Sequence, residues 1–232
     1  MLSNPIIDRW LSSLTAKYPD LSACREDIEA AYRCLSRAYE AGGKLLVCGN
    51  GGSAADSEHI VGELMKGFMS KRPLSAGRRG LLESLFQEDG AYLADHLQGA
   101  LPAISLVSHS ALMTAYANDV AADMVFAQQV YALAKPGDVL VAISTSGNSG
   151  NVVRAVQVAR ALGAATIGLA GSGGGRLADL CDRTIRVPWT STPDIQERHL
   201  PIYHTLCMMV EQDFFGDRHG MEAEGDADVR GA

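Results

Sequence analysis

The sequence predicts an α/β protein, a three-layer αβα sandwich in which a five-stranded parallel sheet is flanked by helices. Three observations carry this. Five short apolar runs alternate with stretches of helical period, the order that winds a parallel sheet between two helical layers. Two of the runs end in a glycine-bearing polar loop that leads straight into a helix: Gly49-Asn50-Gly51-Gly52-Ser53 and Ser144-Thr145-Ser146-Gly147-Asn148-Ser149. The run Val139 to Ile143 is continuously apolar, as a strand covered on both faces should be.

Composition bounds the rest. The 232 residues are 47% hydrophobic and 20% charged, an ordinary globular balance. A net charge of -7 and a pI of about 5.3 argue against broad affinity for nucleic acid. No apolar run reaches the roughly 18 residues of a membrane span. The N-terminus, MLSNPIIDRW, has neither a basic start nor an apolar signal core and is read as that of a cytoplasmic protein. Cys24, Cys34, Cys48, Cys181 and Cys207 are odd in number, far apart and mostly among apolar neighbours. They are read as reduced core thiols, not disulfides or a zinc knuckle. No solenoid repeat is present.

In chain order, residues 5–18 and 22–41 read as two helices. In the second, Ile28, Ala31, Cys34, Leu35 and Tyr39 recur at helical spacing, and Gly42-Gly43 ends it. The first strand is Leu45 to Cys48, and a helix follows its glycine loop. Residues 68–101 form an excursion too short for a core of its own. It starts basic and flexible, with Lys71, Arg72, Arg78 and Arg79. Leu81, Leu82, Leu85 and Phe86 then suggest one short amphipathic helix, and Tyr92, Leu93 and Leu97 another. Strand 103–107 comes next, then a helix from about His109 that Asn118-Asp119 breaks, then helix 123–134. After the turn Lys135-Pro136-Gly137-Asp138, strand 139–143 leads through the serine loop into helix 151–162. Strand 165–170, a flexible loop at 171–175, strand 184–187 and helix 194–215 complete a single domain over residues 1–215. The tail from Gly216 has almost no large apolar residue and is expected to be disordered.

The chemistry gathers at the two loops. Glycines at a strand end let backbone approach a ligand closely, and Ser53 falls where the following helix would be capped. Such a helix start suits an anion or a sugar hydroxyl. Along that helix, His59 and Glu63 are four residues apart and share a face, placed to hold a proton or a metal. In the second loop the four hydroxyls of Ser144, Thr145, Ser146 and Ser149 lie within six residues ahead of a helix. Hydroxyls, amides and the helix dipole together suit a phosphate, although a plain polar turn would read the same way. The Gly-Lys-Ser/Thr of a nucleotide P-loop is absent, which favours a phosphomonoester. Gly49-x-Gly51-x-x-Ala54 also fits a dinucleotide pattern. The acid required about 20 positions on, at the next strand's end, is missing, so no nucleotide cofactor is expected.

The stretches CGNGGSAADSEHIVGEL, YANDVAADMVF, ISTSGNSGNVVRAV and IQERHLPIYH resemble the SIS (sugar isomerase) domain family, and within it the bacterial phosphoheptose isomerases. The resemblance spans most of residues 5–215. It implies conversion of sedoheptulose 7-phosphate to D-glycero-D-manno-heptose 7-phosphate through an enediol, in a homotetramer with sites between subunits. It places Ser144, Thr145, Ser146 and Ser149 on the phosphate, and Asn50, Gly51, Ser53 and Asp119 on the sugar, with Gln196 also in the binding site. It makes Glu63 the base between C1 and C2 and His204 its acid/base partner. It also implies Zn2+ on His59, Glu63, Gln196 and His204. The residue types agree, since aldose–ketose isomerisation needs a carboxylate near the α-carbon and a donor near the carbonyl oxygen. Taken alone, His204 could equally be a satisfied structural histidine and Glu63 a solvated charge.

The chain departs from the family at three places. Asp194 stands where an arginine is usual, the Leu-x-Gly-Arg usual after Glu63 reads Leu64-Met65-Lys66-Gly67 with Lys66 as the substitute cation, and residues 68–101 exceed the usual link. A reading of another class also stays open: a non-catalytic SIS-fold phosphosugar-binding protein or replication-initiator adaptor. Adaptors of this kind tend to lack the histidine matching His204, which this chain keeps.

Overall fold

Every strand of the sheet runs parallel to its neighbour. The computed structural model describes residues 5–216. Its strands are β1 (Leu45–Cys48), β2 (Ala103–Ser105), β3 (Val139–Ile143), β4 (Ala165–Ala170) and β5 (Arg183–Arg186), side by side in the order β2-β1-β3-β4-β5. Leu45 is in register with Ala103 on one side and Val139 on the other. The helices are α1 (Pro5–Lys17), α2 (Arg25–Glu40), α3 (Gly52–Met65), α4 (Ala76–Leu85), α5 (Gly90–His96), α6 (Ser110–Tyr116), α7 (Val125–Leu133), α8 (Gly150–Ala161), α9 (Gly175–Leu180) and α10 (Thr192–Phe215).

Strand periodicity divides the core in two. Leu45, Val47, Val139, Val141, Ile143, Ile167 and Leu169 point to one face, where α1, α2, α3 and α10 cover them. Leu46, Cys48, Leu140 and Ala142 point to the other, against α7, α8 and Leu177 of α9. The expected three layers are therefore present, with the two N-terminal helices in the layer that holds α3 and α10. All five cysteines are free thiols, and Cys24, Cys48 and Cys207 are buried.

Several element boundaries differ from expectation. A 3-10 turn, Pro19–Cys24, precedes α2, because proline opens it and α2 begins only at Arg25. The strand expected over 103–107 ends at Ser105, where the Ser108 amide turns back to the Ser105 carbonyl. The α-helix ends at Tyr116, just ahead of Asn118-Asp119; the chain runs on through a π turn, Ala117–Ala121, in which the Asn118 side-chain amide donates to Asp119, and turns extended at Ala121. The loop expected after Gly171 gives way to α9, which starts on Gly174 and Gly175, both at positive φ. The tail beyond Gly216 lies outside the described residues.

The excursion is pinned where it leaves and returns. The Gly99 amide donates to the Arg72 carbonyl, and the Gly67 amide donates to Gln98 Oε1. Between these points α4 and α5 pack on each other. No residue of α4 is buried, and Leu81, Leu85 and Phe86 are exposed. The basic start is not uniformly flexible surface either. Arg79 pairs with Glu83 and Asp95, and Arg72 is buried.

His199 of α10 is 0% exposed, and neither ring nitrogen has a hydrogen-bond partner. Burial lowers its pKa from 6.5 to about 4, against a smaller opposing pull from the Ala170 backbone. The unfolded chain takes up the proton that the folded ring refuses, so stability should fall as pH drops from 6.5 towards about 4. At about pH 5 the loss should be on the order of 2 kcal/mol. Urea unfolding across this range checks it, and His199→Leu should flatten the slope.

Candidate active site

The sheet order sets where a site can form. From β1 the chain crosses to β2 on one side and later returns to β3 on the other, so connections diverge between β1 and β3. Ligands of open α/β sheets bind at such a switch point, beyond the carboxyl ends of the strands. Both glycine loops leave the sheet there. They are joined by a reciprocal amide pair: Asn50 Nδ2 donates to Asn151 Oδ1 at 2.9 Å, and Asn151 Nδ2 donates back to Asn50 Oδ1 at 2.9 Å.

The serine loop is shaped by close backbone approach. Gly147 has φ 67, and a Cβ there would lie 1.9 Å from the Gly174 carbonyl oxygen, so only glycine fits. Ser144 is buried and its Oγ lies 2.9 Å from Ser149 Oγ. Ser146 is exposed, and its Oγ accepts from the Asn148 amide. Ser149 occupies the N-cap of α8 without capping it by its own side chain; the Val152 amide donates to Asn151 Oδ1, which leaves the Gly150 and Asn151 amides to a ligand. Thr145 is half-buried, its carbonyl accepting from the Gly171 amide. The four expected phosphate residues thus occupy one loop and its helix start.

The first loop needs one correction. Gly51, at φ 56, is the N-cap of α3, and Ser53 lies buried inside the first turn. Gly52 lies against another side chain: a Cβ there would meet Gln196 Nε2 at 2.6 Å. Gln196 therefore sits against the start of α3. Asp119 is exposed on its π turn, and its Oδ1 accepts from Asn118.

Further along α3, His59 and Glu63 come together as expected, with Nε2 to Oε1 at 3.2 Å. Lys66 Nζ is 3.3 Å from the other carboxylate oxygen, so this lysine does stand in as the local cation. The other side of His59 is fixed by residues the sequence did not single out. Tyr203 donates to Asp56 Oδ1 at 3.2 Å, and its oxygen is 3.0 Å from His59 Nδ1. Burial, then the Asp56 charge, raises the tyrosine pKa and keeps it a donor. His59 Nδ1 is then the donor to the tyrosine oxygen, which leaves Nε2 facing the Glu63 carboxylate.

His204 closes the cluster. Its ring lies edge-on to His59 at 5.0 Å and to Tyr203 at 5.1 Å, with Phe68 at 5.3 Å. Its Nε2 is buried without a hydrogen-bond partner. Burial, then the nearby His59, lowers its pKa, against the opposing pull of Glu63, so the ring favours the neutral form. A groove of about 350 Å³ between α1 and α10 reaches His204 past Trp10, Lys17 and Tyr18; the serine loop does not line it.

Of the four expected metal ligands, His59 lies against Glu63 and His204, and Gln196 lies against Gly52 at the start of the same helix. As the side chains stand, the described residues hold no group of three His, Cys, Asp or Glu set for a metal ion. Asp194, in place of the usual arginine, lies in the first turn of α10 and accepts from Ser191, where a negative charge suits the helix dipole. Asp56, Tyr203 and Asn151 were missed because their partners are 101 or more positions away in sequence.

Comparison with known proteins converges on one family. The SIS domain matches residues 9–84 and 79–171. The phosphoheptose isomerase of Rhodospirillum rubrum is 41% identical over 191 residues, covering 82% of this chain and 88% of that protein. That of Geotalea daltonii is 43% identical over 191 residues, covering 82% and 86%. Among solved structures, a phosphoheptose isomerase from Francisella tularensis superposes with a TM-score of 0.70 at 34% identity, over 87% of this chain and 93% of that one. The Neisseria gonorrhoeae phosphoheptose isomerase gives 0.68 at 33%, over 87% and 94%.

Tyr203→Phe should leave Asp56 and His59 without their shared partner. A loss of about 1–2 kcal/mol in urea unfolding is expected, with a change in the His59 ring nitrogen resonances.

Proposed function

The chain belongs to the SIS domain family, alongside the phosphoheptose isomerases, and on that premise we propose that it is an aldose–ketose isomerase converting sedoheptulose 7-phosphate to D-glycero-D-manno-heptose 7-phosphate in the cytoplasm. The observation that supports this best is the amide-stapled pair of loops at the β1/β3 switch point, with Glu63, His59 and His204 on the helices beside it. The relatives named above are all isomerases, which leaves the adaptor reading without support. In the proposed reaction the serine loop holds the phosphate through Ser144, Thr145, Ser146 and Ser149. Asn50, Gly51, Ser53, Asp119 and Gln196 orient the sugar. Glu63 takes the proton from one carbon and returns it to its neighbour by way of an enediol. His204, neutral and with Nε2 unpartnered, moves the proton at the carbonyl oxygen.

Zinc belongs to this proposal on a narrower footing. Two imidazole nitrogens and a carboxylate suit it. The proposed ligands are His59, Glu63, Gln196 and His204; support comes from the 3.2 Å approach of His59 to Glu63 and the unpartnered His204 nitrogen. Bound there, zinc would supply a Lewis acid for the carbonyl oxygen. A ligated Glu63 would be a weaker base, so its two roles compete.

We propose a homotetramer as well. Large side chains such as Leu85, Tyr92, Val120 and Tyr131 remain exposed on the single chain, the kind of surface that subunits cover.

Two measurements test these readings. Purified protein with sedoheptulose 7-phosphate should yield aldoheptose phosphate. The double variant Ser146→Ala, Ser149→Ala should raise KM about tenfold or more and change kcat little, because it removes binding remote from the reacting carbons. No turnover in the parent would sink the isomerase reading; unaltered kinetics in the variant would remove the loop from the site. Native mass spectrometry of protein purified without added metal should show four chains of 24.6 kDa, with zinc on each. A metal-free monomer would exclude both further proposals.

A further inference from the structure

We infer that Arg72 and Glu211 are positioning residues for the isomerisation proposed above: their buried ion pair fixes the last turn of α3, which carries Glu63, against α10, which carries His204. Arg72 Nε donates to Glu211 Oε1 at 2.7 Å. Its Nη1 donates to the Leu64 carbonyl at 2.7 Å and its Nη2 to the Glu63 carbonyl at 3.1 Å. These carbonyls belong to the end of α3, where the helix has no amide of its own to give. Glu211 in turn accepts from the Phe68 amide at 2.8 Å and the Met69 amide at 2.7 Å. One arginine and one glutamate thus fix both sides of the turn that leaves α3.

The pair is fully enclosed. Side-chain exposure is 0% for Arg72 and 4% for Glu211, and the guanidinium lies 4.6 Å over the Phe215 ring. Stability alone is a weak reason for such an arrangement, since well-packed apolar residues often serve a core as well as a buried pair does. Arg72 also holds φ 46, a left-handed conformation costly for a residue with a side chain. What an apolar pair cannot do is bind two carbonyls and two amides in a set geometry. The geometry reaches the site by two routes. One is the backbone of Glu63 itself. The other is Phe68, whose amide Glu211 holds and whose ring lies 5.3 Å from His204. Glu211 follows His204 by seven residues, two turns along the same face of α10.

The test compares the parent with Arg72→Lys and Glu211→Gln. Lysine keeps the charge but lacks the fork that reaches two carbonyls and a carboxylate together. Glutamine is nearly isosteric and keeps the test open if the lysine variant does not fold. In variants that still melt cooperatively above the assay temperature, kcat for sedoheptulose 7-phosphate should fall about tenfold to hundredfold. KM should stay within about threefold, because the phosphate loop lies at the far end of α3. The ring resonances of His59 and His204 should shift in both variants. A folded variant with the parent's kcat, or with a change confined to KM, overturns the proposal. A parent inactive on this substrate defeats the isomerase reading separately. The ring resonances then decide, and unmoved rings overturn the clamp.

Discussion

The single reversal of strand order between β1 and β3 governs the arrangement of everything at the site. All five strands point the same way, so both loops emerge at one edge of the sheet. From that edge α3 turns to one layer and α8 to the other, because each must bury an apolar face on its own side of the sheet. A crevice opens wherever neighbouring connections part like this. The Asn50–Asn151 pair bridges it, joining the start of α8 to the loop that starts α3.

α3 and α10 lie side by side for their whole contact. Gly52 adjoins Gln196, Asp56 and His59 adjoin Tyr203, and Phe68 adjoins Glu211. Buried polar groups elsewhere find partners: Gln129 donates to the Leu106 carbonyl, and Asp138 takes Lys44 and two backbone amides. Among the described residues, the buried side-chain polar atoms without a partner are Ser105 Oγ, both nitrogens of His199 and Nε2 of His204. Three of these four atoms are on α10, the helix that faces the candidate site. An unmade hydrogen bond in a core costs about 1–3 kcal/mol. His204 carries part of that cost beside the crevice, with its Nε2 left without a protein partner.

The sheet was legible because its strands are short apolar runs bounded by turns, and the loops were legible because glycine and hydroxyl residues cluster there. The misreadings share a cause. Arg72 looked like part of a flexible basic stretch, yet its partner Glu211 is 139 positions away, beyond any local pattern. Gln196 and His204 both face α3, two turns apart, but which α3 residue each would meet, Gly52 or His59, was not written in their spacing. α9 was hidden by the glycines that begin it, since Gly174 and Gly175 adopt positive φ before a six-residue helix. Periodicity reports which face of an element is apolar; it does not report which side chain on another element will meet it.

The excursion after α3 shows the same limit from the other direction. Its two helices were foreseen from leucine spacing, and they form, but Leu81, Leu85, Phe86 and Tyr92 stay exposed. Helices of ten and seven residues are too short to be stable on their own. Their order comes from packing on each other and from the pinned root, where Gly99 meets the Arg72 carbonyl and Gln98 meets the Gly67 amide. Arg72 is therefore shared: its carbonyl closes the root of the excursion while its guanidinium holds the carbonyls of Glu63 and Leu64. The inserted segment and the candidate catalytic helix are tied to one residue, so the insertion is built into the support of the site and is not appended at a distance from it.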